Sequence, residues 1–135
     1  MLDTAVLVSG AISSAGPSAR LLDFARSGRL EVLICPMLIR ELRATMAKPR
    51  LQRWLSGPDE VAAYVADVSR WATHLPDPID IDFTACRDPN DAFILAFGLQ
   101  TEADAIVSGD KDLTVLVRHR PSVLTPRRAL DRLDD

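Results

Sequence analysis

The sequence predicts an α/β protein, a sandwich of helices around a mostly parallel sheet. Two observations carry this prediction. Short runs rich in Val, Ile and Leu alternate with stretches of helical spacing, the pattern of strand–helix–strand units. Glycine and proline punctuate the transitions, as Gly28, Pro36 and Pro49 do.

Taken in order, residues 1–8 read as a short buried strand, Leu2 to Val8. Ser13 to Pro17 is loop, and Ser18 to Ser27 is a helix carrying Leu21, Leu22 and Ala25, ended by Gly28. Leu30 to Ile34 is a second strand, broken by Pro36. Met37 to Ala47 has apolar residues at 38, 39, 42 and 46, a helix stopped by Lys48-Pro49. Another helix begins at Pro58-Asp59-Glu60 and runs to about Trp71. The proline-rich stretch His74 to Pro78 is a linker within the domain, and Ile79 to Phe83 reads as a strand. Asp88-Pro89-Asn90-Asp91 opens a helix with Phe93, Ile94, Leu95, Phe97 and Leu99. Ala103 to Val107 is a strand, Leu113 to Val117 a short helix or turn, Ser122 to Leu124 a last strand, and Pro126 to Leu133 a terminal helix.

A chain of 135 residues suits one domain, able to bury roughly two thirds of its unfolded surface. Hydrophobic residues make up 47% and charged residues 26%, ordinary for a water-soluble fold. No apolar stretch approaches the ~18 residues of a membrane span, and no signal peptide precedes the first strand, so a cytoplasmic protein is expected. Cys35 and Cys86 lack metal-type spacing and read as buried thiols. A net charge of −3 argues against nucleic-acid binding through overall charge, though not against local basic patches beside an acidic, metal-loaded site.

In an open parallel sheet, sites form beyond the carboxyl ends of the strands. That rule gives the acids one address: Asp3 on the first strand, Glu41 on the helix after the second, Asp88 and Asp91 at a helix start, Asp110 and Asp112 after Ala103–Val107. Like charges gathered there need a divalent cation, and all-oxygen ligands suit Mg²⁺ or Mn²⁺. Each acid also has a plainer reading. Asp88 serves equally as an N-cap with Pro89 after it, Asp110 as turn chemistry, Glu41 as a solvated helix residue. Asp3 differs, since neither capping nor turn chemistry accounts for an acid at the head of an apolar run.

These residues resemble the PIN-domain family, especially VapC-like toxins of bacterial type II toxin–antitoxin pairs. Asp3-Thr4 with Val6-Leu7-Val8-Ser9 looks like the family's opening acid motif. Glu41 within Met37-Leu38-Ile39-Arg40-Glu41-Leu42 is similar to its helix glutamate, and Cys86-Arg87-Asp88-Pro89-Asn90-Asp91 resembles its third motif. Ser108-Gly109-Asp110-Lys111-Asp112-Leu113 matches the last motif closely. The resemblance implies a single three-layer α/β/α domain over 1–135 and a metal-dependent endoribonuclease. Asp3, Glu41, Asp91 and Asp110 would hold Mg²⁺ or Mn²⁺, supported by Ser108, Asp112 and Asp88. It also implies an RNA substrate, a cognate antitoxin over the site, and a homodimer. Two features depart from the pattern: Ala5 stands where a polar residue is usual, and only Met1 and Leu2 precede Asp3, as a shortened strand or a late translation start would leave it.

Arg40, Arg43, Lys48 and Arg50, with Arg53, read as an RNA-backbone groove or as a solvated helix face. Trp54, Tyr64 and Trp71 suit packing or a dimer better than base stacking, and only 5% of residues are aromatic. His74 and His119 lack ligand spacing. A PIN-fold binding module with weak or no catalysis is the alternative, motivated by Ala5 and the short first strand. A phosphoacceptor receiver would need an acidic pair after the first strand, and Asp3 stands alone.

Overall fold

Asp3 decides how the fold begins. In the computed structural model, which describes residues 1–116 and 119–134, the apolar run after Asp3 is helix α1 (Thr4–Ile12). This corrects the predicted strand over 2–8, of which only Leu2 pairs, bridging Val107 in parallel. The cause is a cap: Asp3 has extended backbone, and its carboxylate accepts the Val6 N–H at 2.9 Å. The reading that capping does not account for Asp3 is therefore overturned. Because the segment is apolar on nearly every side, no 3.6-residue stripe distinguishes it from a buried strand.

Helices α2 (Pro17–Arg26), α3 (Pro36–Met46) and α4 (Pro58–Trp71) lie within a residue of expectation, each opened by proline in its first turn. Between α2 and α3 lies β1 (Leu33–Ile34), shorter than the predicted 30–34. It pairs in parallel with β2 (Thr73–His74), a strand too short to be read from sequence and set where the linker was expected to begin. Ile79 to Phe83 is not a strand. Asp80 takes a positive φ of 50°, Ile79 is 70% exposed, and its backbone is tied to the Gln100 side chain at both N–H and C=O. A 3₁₀ turn (Pro89–Asp91) leads into α5 (Ala92–Gln100). There follow β3 (Ala105–Val107), α6 (Lys111–Thr114), β4 (Ser122–Leu124) and α7 (Pro126–Leu133). Val117, the last residue of the helix or turn expected over 113–117, lies outside the described residues.

The architecture is α/β, with every strand pair parallel. Among the described residues the strands form two separate two-stranded sheets, β1–β2 and β3–β4, where one central sheet was expected. Leu2 flanks β3 on the side away from β4, with Asp3 N–H donating to the Val107 carbonyl at 2.9 Å and Val107 N–H to the Met1 carbonyl at 2.8 Å. Helix α1 packs on α2 and α3, and Leu7, Leu21, Leu22, Leu38, Phe97 and Ile106 are among the fully buried side chains. At Gly98 on α5, a Cβ would stand 2.6 Å from Ile106 Cδ1, so glycine lets α5 approach β3. No described helix is long and apolar enough to cross a membrane.

Candidate functional site

Leu2 and β3 run side by side in the same direction, so Asp3 and Ser108 emerge at one edge. Ser108 is fully buried and donates its hydroxyl to the Asp3 carboxylate. The same hydroxyl oxygen accepts the backbone N–H of Asp110 at 2.9 Å. Asp110 in turn caps α6, accepting the Asp112 N–H at 2.8 Å. Asp3, itself 3% exposed, is thus held by the Ser108 hydroxyl and the Val6 N–H.

The remaining acids arrive from two other elements. Asp88 caps the 3₁₀ turn through the Asn90 N–H at 2.9 Å, as its N-cap reading anticipates. Asp91, at the start of α5, has a buried Oδ2 with no hydrogen-bond partner among the described residues. Burial, followed by the nearby carboxylates of Asp110, Asp88 and Glu41, pushes the Asp91 carboxyl up to about 7. Glu41 on α3 is raised by burial and by Asp3 and Asp88, against Thr4 and Lys48, which favour its charged form. Asp3 is raised by burial and by Asp110, against its hydrogen bonds. These mutual influences gather Asp3, Glu41, Asp88, Asp91 and Asp110 into one cluster.

The other predicted residues divide. Lys48 is close enough to act on Glu41, whereas the Asp112 carboxylate faces Arg87 at 3.9 Å. Arg40 pairs with Asp77 at 3.9 Å, and Arg43 lines a groove with Ala47, Gln52 and Val61. Those two arginines are not brought to the acids. Arg50 is exposed in the 3₁₀ turn Pro49–Leu51. Trp54 is 47% exposed with Arg53 stacked on it, while Tyr64 donates to the Leu7 carbonyl at 2.6 Å.

Two residues at this edge stand inside the motifs read from sequence, which give them no site role. Thr4 is 5% exposed and faces Glu41, yet its hydroxyl has no partner of ordinary hydrogen-bond geometry among the described residues. Cys86 is half-buried, donates to the Asp88 carbonyl at 3.2 Å, and has its thiol raised by burial and then by Asp91 and Asp88. Adjacency to Asp3 and Asp88 is the only hint. Cys35 is buried, its thiol pushed up to about 11 by burial, and neither cysteine is in a disulfide.

Among the described residues, no three His, Cys, Asp or Glu side chains already stand as a metal-ligand set. The donor chemistry nonetheless fits a hard divalent cation: carboxylates that repel one another, and one buried carboxylate oxygen left without a partner. Asp3, Glu41, Asp91 and Asp110 are the candidate ligands for such a cation.

Parallel strands between helices, with acids beyond the strands' carboxyl ends, define a class of α/β site-bearing domain. Within that class the chain belongs to the PIN-domain family, whose model matches residues 1–112. No curated protein and no solved structure matches it.

Proposed function

We propose that this PIN domain is a Mg²⁺- or Mn²⁺-dependent endoribonuclease and the toxin of a type II toxin–antitoxin pair. PIN domains are generally metal-dependent nucleases. The observation that carries the reading is Asp91: a buried, unpartnered carboxylate oxygen amid three other acids is stable only with a proton or a cation. Asp3, Glu41, Asp91 and Asp110 hold the cation. When bound, it lowers the pKa of a water and stabilises charge on the scissile phosphate. Ser108 fixes the orientation of Asp3, and the Asp112 N–H that of Asp110. Lys48 and Arg50 contact the RNA backbone, with Arg40 and Arg43 reached only by a longer RNA. A cytoplasmic setting, a three-layer arrangement of the two sheets and helices, a homodimer, and an antitoxin covering the acidic edge complete the proposal.

Labelled RNA incubated with the purified chain tests this. Cleavage is expected with Mg²⁺ or Mn²⁺ and not in EDTA or in Asp3→Asn; cleavage that survives both removes the enzyme. Arrested growth on expression, relieved by the adjacent small gene and absent in Asp110→Asn, tests the toxin role. One observation favours a binding module instead. Ala5 is exposed at the rim, its methyl 3.8 Å from where a Gly109 side chain would begin, so that position offers substrate no polar group. RNA binding without cleavage in any divalent metal would establish it.

A further inference from the structure

Thr4 and Glu41 each lack what the other supplies. Thr4 opens α1 immediately after the Asp3 cap and is 5% exposed, too buried for bulk water to satisfy its hydroxyl. A buried hydroxyl without a partner destabilises the fold, and native structures rarely leave one. Glu41 has the opposite deficit. It comes from the second turn of α3, which packs on α1, and no backbone N–H donates to its carboxylate among the described residues, Thr4 being its hydrogen-bonding neighbour. Asp3, Asp88 and Asp110 are each held by at least one backbone N–H, so Glu41 is left comparatively unfixed. Three rotatable bonds make that an entropic cost for any ligand it must hold.

We propose that Thr4 is a positioning residue: its hydroxyl donates to the Glu41 carboxylate and turns it toward Asp3. The hydroxyl is near enough to Glu41 to favour its charged form, and α1 and α3 are already packed together. Thr4 then does for Glu41 what Ser108 does for Asp3, so that two hydroxyls set two carboxylates. Donation leaves a Glu41 oxygen lone pair free for a cation and satisfies the buried hydroxyl at once. The role at the cation rests on the proposed nuclease reading; the contact itself does not.

The test compares wild type, Thr4→Val and Thr4→Ser, each with Glu41 or Glu41→Leu. In Mn²⁺ titrations followed by calorimetry, Thr4→Val is expected to weaken binding by roughly 10-fold, the low end for loss of an outer partner of a metal ligand. Thr4→Ser, which keeps the hydroxyl, restores it. Equal Mn²⁺ affinity in Thr4→Val and wild type overturns the proposal. In EDTA, the change in Tm caused by Thr4→Val is expected to differ between the Glu41 and Glu41→Leu backgrounds, since leucine leaves the hydroxyl no acceptor, and equal changes overturn the contact. A wild type that binds no Mn²⁺ yet shows the non-additive Tm removes the metal reading and keeps the Thr4–Glu41 contact. Should Thr4→Val fail to fold, Thr4→Ala takes its place in both arms.

Discussion

Asp3 and Asp110 are joined through one buried oxygen: Ser108 donates its hydroxyl to the Asp3 carboxylate and accepts the Asp110 N–H at 2.9 Å. Residues 105 positions apart, Asp3 and Ser108, thereby share a hydrogen bond at the edge where the first segment and β3 end together.

Ser108→Ala breaks that link at both ends. It strands a carboxylate oxygen and a backbone N–H in a fully buried place, costing about 1–3 kcal/mol of stability. Urea unfolding reads that loss. RNA cleavage per folded molecule should fall ~10–100-fold, as expected when a ligand loses its orienting partner.

Asp110→Asn separates stability from function. Asparagine caps a helix as well as aspartate does, so α6 persists, while the repulsion on Asp91 and Asp3 is relieved. In EDTA at pH 8 the variant should be more stable than wild type by about 0.5–2 kcal/mol. Its metal-dependent cleavage should be lost. A metal-free Tm below that of wild type would show that the acids do not oppose one another.

The first helix shows what sequence alone left unreadable. Thr4–Ile12 is apolar around most of its circumference, so periodicity gave no vote, and a β-rich composition favoured a strand. Asp3 was the missing clue, for an acid three residues before a backbone N–H it can accept is a cap. The helices that carry an apolar stripe and an opening proline, α2, α3 and α4, were legible to within a residue. Strand β2 was not, because two residues carry no pattern. The acids of the site were legible as residue types at strand and helix ends. Thr4 was not, since its importance lies in burial and in facing Glu41.

Without metal, stability should fall as pH rises. The Asp91 carboxyl moves from an ordinary 3.8 to about 7 on folding, so the folded chain holds a proton that the unfolded chain has released between those values. With more protons bound in the folded state, its stabilising contribution is full below pH 3.8 and is lost as pH passes through about 7. Asp3 and Glu41 are shifted in the same direction. Mn²⁺ should reverse the trend, because a cation needs the carboxylates ionised and binds more tightly as pH rises. Tm measured from pH 5 to 8 in EDTA and in Mn²⁺ checks both slopes.

Gly98→Ala should destabilise without touching the chemistry. The added methyl meets Ile106 Cδ1 at 2.6 Å and Cγ1 at 2.7 Å, in a core where Ile106 is fully buried. Overpacking of this kind costs about 1–3 kcal/mol. Chemical denaturation should show the loss, with cleavage per folded molecule unchanged, since Gly98 faces β3 and not the acids.

The most direct measurement is a calorimetric titration of Mn²⁺ into the metal-free chain at pH 8, for wild type and Asp91→Asn. Saturable binding by the wild type, lost in Asp91→Asn while the variant remains folded, is the predicted result. No binding by the wild type at millimolar Mn²⁺, or equal binding by Asp91→Asn, would contradict a cation held among Asp3, Glu41, Asp91 and Asp110.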